Sequence, residues 1–276
     1  MDIGVFSRTF RETGADAFRA LRDSGLTRTH LNLLSCGMEP IPAKVSDGEV
    51  YRIGRLADEA GVALEGLSGT FNMIASDADE REEGIARFPV LCRIAAMLDI
   101  PMISLCTGSR NPRSRWEWDD RNLLPDAWED LLKTTERILP LAEAAGVMLG
   151  VETEASNVVN TPERARAYLD HFKSPNIKIV MDAANLYPSG DVPDMNAVLD
   201  GAFALLGADV IQAHAKDLAA GPGLSFVAAG EGTIDFPHYI GLLKKYGFDG
   251  TVMLHSLEAE QVPKSAAFLR GVIARA

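Results

Sequence analysis

One pattern repeats eight times along this chain: a short apolar run rich in β-branched residues, then a longer amphipathic stretch that often closes on glycine. The runs are DIGVFSR, THLNLL, VALEGLS, MISLCTG, VMLGVETE, IKIVMDAAN, DVIQAHAKD and GTVMLHS. Continuous apolar runs suit strands buried on both faces, and strands separated by helices pair in parallel. The stretches between them carry helix punctuation. Gly25, Gly61 and Gly146 stand where C-terminal caps belong, and Thr161-Pro162 reads as an N-cap with proline at the first helical position. REEGIARFPVLCRIAAMLDI reads as helix despite Pro89. Eight such units with no break in composition predict a single α/β domain over residues 1–276, a (β/α)8 TIM barrel. A doubly wound open sheet is the alternative, but no G-x-G-x-x-G follows the first run.

Charge and cysteine usage narrow the partners. A net charge of −12 without a Lys/Arg cluster argues against nucleic acid and against an anionic membrane surface. The three cysteines, Cys36, Cys92 and Cys106, have no metal-ligand spacing and lie in or near apolar segments. They suit reduced thiols, and with no signal peptide in MDIGVFSRTF the expected location is cytoplasmic. No apolar run reaches the roughly 18 residues that span a bilayer.

Barrels of this kind place chemistry at the C-terminal ends of their strands. LGVE, IVMD, IQAH and VMLH end on Glu152, Asp182, His214 and His255. By strand alternation, Gly150, Val180, Gln212 and Met253 sit one layer below. Singly, each polar residue has a plain explanation: a solvated glutamate, an aspartate capping a turn, a hydrogen-bonded core histidine. Together, four buried strand ends converge on one place, and two carboxylates there repel unless a cation compensates. Two oxygen and two imidazole donors suit Mn2+, Co2+, Zn2+ or Fe2+ better than Ca2+, and the lack of cysteine argues against a closed structural zinc site. One divalent ion is expected, Mn2+ first, with Mg2+ also in the set.

The HAKD of the seventh run, Glu152, the MDAAN around Asp182, GEGTIDF (230–236) and GFDG (247–250) resemble the xylose isomerase-like TIM barrel superfamily, the sugar phosphate isomerase/epimerase family. The likeness covers nearly the whole chain. It implies a divalent metal held by Glu, Asp, His and a final Glu, with the two glutamates doubling as acid and base. Glu152, Asp182 and His214 take the first three places. The fourth departs: six residues after Asp249 stands His255. A histidine can bind the metal and move a proton, but it does not mirror a carboxylate across a substrate. Glu258 and Glu260, just beyond, read as loop or first-turn charges. Asn185 stands where some members carry a histidine.

The resemblance implies a metal-dependent isomerase or epimerase. It would remove a proton beside the carbonyl of a keto sugar or related polyol and pass through an enediolate. Glu152 is the expected base and His255 a ligand and proton donor. Glu154, Asn185, Lys216 and Asn32 are expected to bind substrate, with His30 lining the far side. The polar loop 106–120 reads as a lid, a subunit contact or plain surface. Two alternatives remain: a metal-dependent lyase (inosose dehydratase-like or eliminating from a 3-keto glycoside) and a non-catalytic ligand-binding barrel. An abasic-site endonuclease fits poorly with five histidines and the −12 charge. No glycine-rich phosphate loop is present. The expected partners are a small sugar or polyol and further copies of the chain, as a homodimer or homotetramer.

Overall fold

Each apolar run forms a strand, most of them shorter than the run because its last residues turn away into loops, whereas the seventh continues to Leu218. The computed structural model describes residues 1–276. Its barrel strands are β1 (Asp2–Phe6), β2 (Arg28–Leu31), β3 (Ala63–Ser68), β4 (Met102–Leu105), β5 (Met148–Glu152), β6 (Ile177–Asp182) and β7 (Val210–Leu218). A short strand β8 (Phe226–Ala228) precedes the last barrel strand, β9 (Thr251–Leu254). Helices α1 (Ala15–Asp23), α2 (Asp47–Ala60), α3 (Ala78–Met97), α4 (Pro125–Ala145), α5 (Pro162–Phe172), α6 (Met195–Leu206), α7 (Phe236–Lys245) and α8 (Val262–Arg275) form the outer layer. Neighbouring barrel strands pair in parallel, β1 closes against β9, and β6 against β7. This is the expected (β/α)8 barrel.

The helix punctuation acts as its chemistry dictates. Thr161 accepts from Arg164 N and α5 begins on Pro162. Gly61 and Gly146 sit at left-handed C-caps of α2 and α4. Pro89 and Pro140 both lie inside helices, α3 and α4. Strand β6 ends at Asp182, and the rest of MDAAN winds into a short 3-10 turn capped by Asp182 through Ala184 N at 3.0 Å.

Inside the barrel, the layer under the mouth is the expected one. Gln212 meets His30 at 2.8 Å. A Cβ on Gly150 would come 2.8 Å from Val180, and one on Gly4 would come 2.6 Å from Met253. Gly66 leaves room for His30, whose Nδ1 would lie 2.5 Å from an added Cβ. Below and outside, one continuous apolar core joins strands to helices.

Strand β8 has no counterpart among the eight expected runs. It folds back antiparallel on the end of β7, pairing Lys216 with Ala228 and Leu218 with Phe226. The loop behind it is fastened by Asp217. Its buried carboxylate accepts from Leu218 N (2.9 Å), Gly230 N (3.0 Å), Gly232 N (2.9 Å) and Ile234 N (3.0 Å). Gly232 must be glycine, since a Cβ would lie 2.1 Å from Leu218 O. This explains GEGTIDF and the aspartate of HAKD as one structural unit.

Candidate metal centre and active site

Parallel register brings the strand ends together. Glu152 pairs beside Val180, Asp182 beside His214, and His214 beside Met253. His255 follows β9 directly, its N–H reaching Ala215 O at 3.3 Å. His214 Nδ1 lies 3.4 Å from Glu152 Oε1 and 3.5 Å from Asp182 Oδ2. His255 Nδ1 lies 3.9 Å from the same Asp182 oxygen. One donor atom each from Asp182, His214 and His255 falls within a 4.8 Å span, and Glu152 joins through His214.

Three of these atoms, Asp182 Oδ2, His214 Nδ1 and His255 Nδ1, are buried and make no hydrogen bond. Buried polar atoms without partners are rare in folded proteins, and three aimed at one point call for a common partner. Ligands about 2.1 Å from one ion stand roughly 3.0–3.4 Å apart at octahedral or tetrahedral angles. The carboxylate–imidazole separations of 3.4, 3.5 and 3.9 Å are close to that range, and the wider 4.8 Å span of the set needs a small inward shift of the imidazoles to close on one ion. The residues therefore fit a divalent cation.

Further contacts prepare the ligands. Gln212 Oε1 faces His30 Nδ1 at 2.8 Å and His214 Nε2 at 3.4 Å. An oxygen accepting from Nε2–H leaves the Nδ1 lone pair of His214 for the centre. His30 also meets Ser104 Oγ at 3.1 Å. The Phe6 ring packs on His30 and His255 (centroids 4.5 Å for each) and edge-on to His214 at 5.1 Å.

The charges balance without an ion. Burial alone would lower the His214 pKa, but the adjacent Glu152 and Asp182 carboxylates raise it to about 9. Burial pushes Asp182 up, but Lys216 foremost, then the two imidazoles, hold it well below the usual carboxylate range. Lys216 Nζ stands 2.9 Å from Asp182 Oδ2, an ionic contact without hydrogen-bond alignment. Burial lowers His255 and takes His30 down to about 3. Burial, then Glu152, raises Glu154 to about 8, and its Oε2 has no partner.

Most of the expected site residues converge. Lys216 donates to Asn185 Oδ1 at 2.7 Å, and Asn185 Nδ2 donates to Glu152 Oε1 at 2.6 Å. Glu154, Asn185, Lys216 and His255 line a pocket of about 290 Å³ over the centre. Clefts of about 550 and 590 Å³ elsewhere contain none of these residues. Asn32 is not brought into the cluster; its side chain caps a short turn by accepting from Leu34 N at 3.0 Å. His30 lies fully buried one layer beneath the pocket, not along its far side. Glu258 is 69% exposed and pairs with Arg11, as a surface charge would. Loop 106–120 is pinned by Asn157, which accepts from Gly108 N at 2.7 Å and donates to Arg115 O at 3.2 Å, and it delivers Trp116 to the pocket. Phe6 and Phe226 went unremarked in the sequence. Phe6 could have been found as an inward residue of β1, whereas Phe226 depends on the unforeseen hairpin.

A parallel eight-stranded barrel with a polar cluster of candidate ligands at the carboxyl ends of β5 and β6, midway along β7 and just beyond β9 defines a class of protein. The chain belongs to the xylose isomerase-like TIM barrel family, whose model matches residues 11–272. A ketose 3-epimerase from Arthrobacter globiformis is 26% identical over 140 residues, covering 49% of this chain and 44% of that protein. The chain thus matches under half the length of that relative. A xylose isomerase domain protein from Planctomyces limnophilus superposes with a TM-score of 0.76 at 19% identity, covering 99% of this chain and 98% of the other. A xylose isomerase-like TIM barrel protein from Mycobacterium smegmatis, solved in complex with magnesium, gives 0.73 at 14% identity, covering 95% and 88%. These two likenesses establish the shared fold. No helix is long and apolar enough to cross a membrane.

Proposed function

We propose that the chain is a divalent-metal-dependent isomerase or epimerase of a keto sugar or related polyol. The observation that carries this reading is the set of unpartnered buried atoms on Asp182, His214 and His255 beside Glu152, under a pocket with a polar floor. Its likeness to a ketose 3-epimerase supports the substrate class. Glu152, Asp182, His214 and His255 would hold the ion, Mn2+ first. The ion supplies Lewis acidity to a carbonyl and its neighbouring hydroxyl. Glu152 is the base that takes the proton from the carbon beside the carbonyl, aimed by the Asn185 amide at 2.6 Å. Lys216 places a positive charge where oxyanion character develops, and Lys216 and Asn185 bind substrate oxygens. Glu154 offers a hydroxyl partner at the pocket floor. His255 returns or donates a proton on the other side.

A lyase reading is favoured by one observation: the fourth candidate ligand, His255, is an imidazole and not the glutamate that the family resemblance implies. A base paired with a different acid suits loss of a β-leaving group as well as proton return. A single experiment separates the readings. The protein, purified and reloaded with Mn2+, is incubated in D2O with a panel of ketoses and keto-polyols. Deuterium entering the carbon beside the carbonyl, with product of unchanged formula, is expected. Net loss of water or of a substituent would shift the assignment to a lyase. No exchange and no elimination with metal bound would leave only a binding barrel.

A further inference from the structure

Burial is inverted in the pocket over the metal centre. Its floor is polar yet buried, Lys216 at 3% exposure and Asn185 at 5%. Its rim carries three exposed apolar side chains, Trp116 at 50%, Leu224 at 44% and Phe226 at 38%, and the lining also includes the polar Ser156 and Ser256. Nine large apolar side chains stand exposed on the whole chain, and three of them line this one opening. Such clustering marks a binding surface, whereas single exposed apolar residues need no explanation.

The three side chains arrive on two separate segments, and both segments are fastened. Trp116 stands on the loop after β4, next to Arg115, whose carbonyl accepts from Asn157. Leu224 and Phe226 stand on the β7–β8 hairpin, held at its base by the Lys216–Ala228 pairing and at its tip by Gly221 N donating to Asp191 Oδ1 at 2.7 Å. Lys216 Nζ lies 4.0 Å from the Phe226 ring centroid, so one face of that ring belongs to the buried floor. Its remaining surface is open to the pocket mouth.

A sugar hydroxylated at every carbon is matched by the floor but not by the rim. Against the Leu224 and Phe226 side chains and the face of Trp116, its outer hydroxyls would leave water for carbon surfaces that return no hydrogen bond. A carbon substituent gains at the same place by leaving water. We propose that the substrate is amphipathic: a keto sugar whose reacting end lies against Glu152, Asn185, Lys216 and His255, and whose other end carries an aryl-sized apolar group held between Trp116 and the hairpin residues Leu224 and Phe226. This rests on the pocket being the substrate site of the proposed isomerase, and it adds the substituent as the feature that sets specificity.

The test is a binding measurement that needs no turnover. Phenyl and methyl β-D-glucosides, and the matching galactosides, are titrated calorimetrically into the full chain loaded with Mn2+. In at least one pair the phenyl member binds about tenfold tighter or more, the effect of burying an aromatic ring partway. Trp116→Ala and Leu224→Ser each bring the phenyl-to-methyl ratio down toward unity, and Trp116→Phe keeps most of it. Melting curves confirm that the variants fold. Equal affinities within both pairs, no phenyl binding at all, or a preference that survives both rim substitutions would overturn the proposal. A rim-dependent preference without deuterium exchange into any keto sugar would sink the isomerase reading alone. Exchange without the preference would sink the rim alone.

Discussion

His214 shows how one side chain answers two demands. Its Nε2 is tied to Gln212 and its Nδ1 faces two carboxylates. Burial disfavours its charged form, yet Glu152 and Asp182 raise its pKa to about 9, so a proton does the work of a cation when none is bound. The sign of the linkage follows. A raised folded pKa contributes stability to the metal-free protein that is fully present below about pH 6.5 and lost as pH rises through about 9. A divalent ion must expel that proton, so its affinity rises with pH up to about 9 and its binding releases a proton. Calorimetric Mn2+ titrations at several pH values, in buffers of differing ionisation enthalpy, check this; an affinity flat between pH 6.5 and 8.5 would contradict it. His214 was legible as a candidate ligand because the mostly apolar VIQA leads into it. Its tautomer was not, because Gln212 and His30 lie 182 residues apart and only barrel closure joins them.

At the scale of elements, Asp217 decides the shape of the mouth. Four backbone N–H groups converge on one buried carboxylate and fix residues 230–234 behind the hairpin. Asp217→Asn keeps the size but loses the charge and half the acceptor capacity. The expected cost is about 2–4 kcal/mol in urea unfolding, with faster hydrogen exchange at the amides of Gly230, Gly232 and Ile234. Unchanged exchange there would show that the loop holds itself. All eight barrel strands were legible in the sequence because each lies in a mostly apolar run that alternates with a helical stretch, even where the strand itself, as in β2, β4 and β9, is only four residues long. The hairpin strand Phe226–Ala228 was not, for it is three residues long and follows Gly221-Pro222-Gly223, a run that signals only a turn. Asn32 follows its strand directly, where a pocket residue would stand, but a local bond to Leu34 N won over the mouth. Strand ends predict which residues can reach a site; local capping decides which do.

For the whole molecule, the candidate ligand cluster would act, with an ion bound, as a bolt across the barrel's second half. A ligand present at 100 times its dissociation constant stabilises the folded state by about 2.7 kcal/mol, which for a chain of this size corresponds to a rise in melting temperature of about 5–10 °C. Adding Mn2+ to metal-free protein is expected to give that shift, a chelator to reverse it, and Asp182→Asn to abolish it; differential scanning fluorimetry reads all three. The four candidate ligands come from four strands, His214 midway along β7 rather than at its expected end, and the last stands at His255, just beyond the strand that seals the circle against β1. The set is complete only once the final strand has docked. An ion bound by all four would therefore be gripped only after closure: before residue 255 is in place the chain offers at most three of the candidate donors on an open sheet, and full metal affinity would report that the ring has shut.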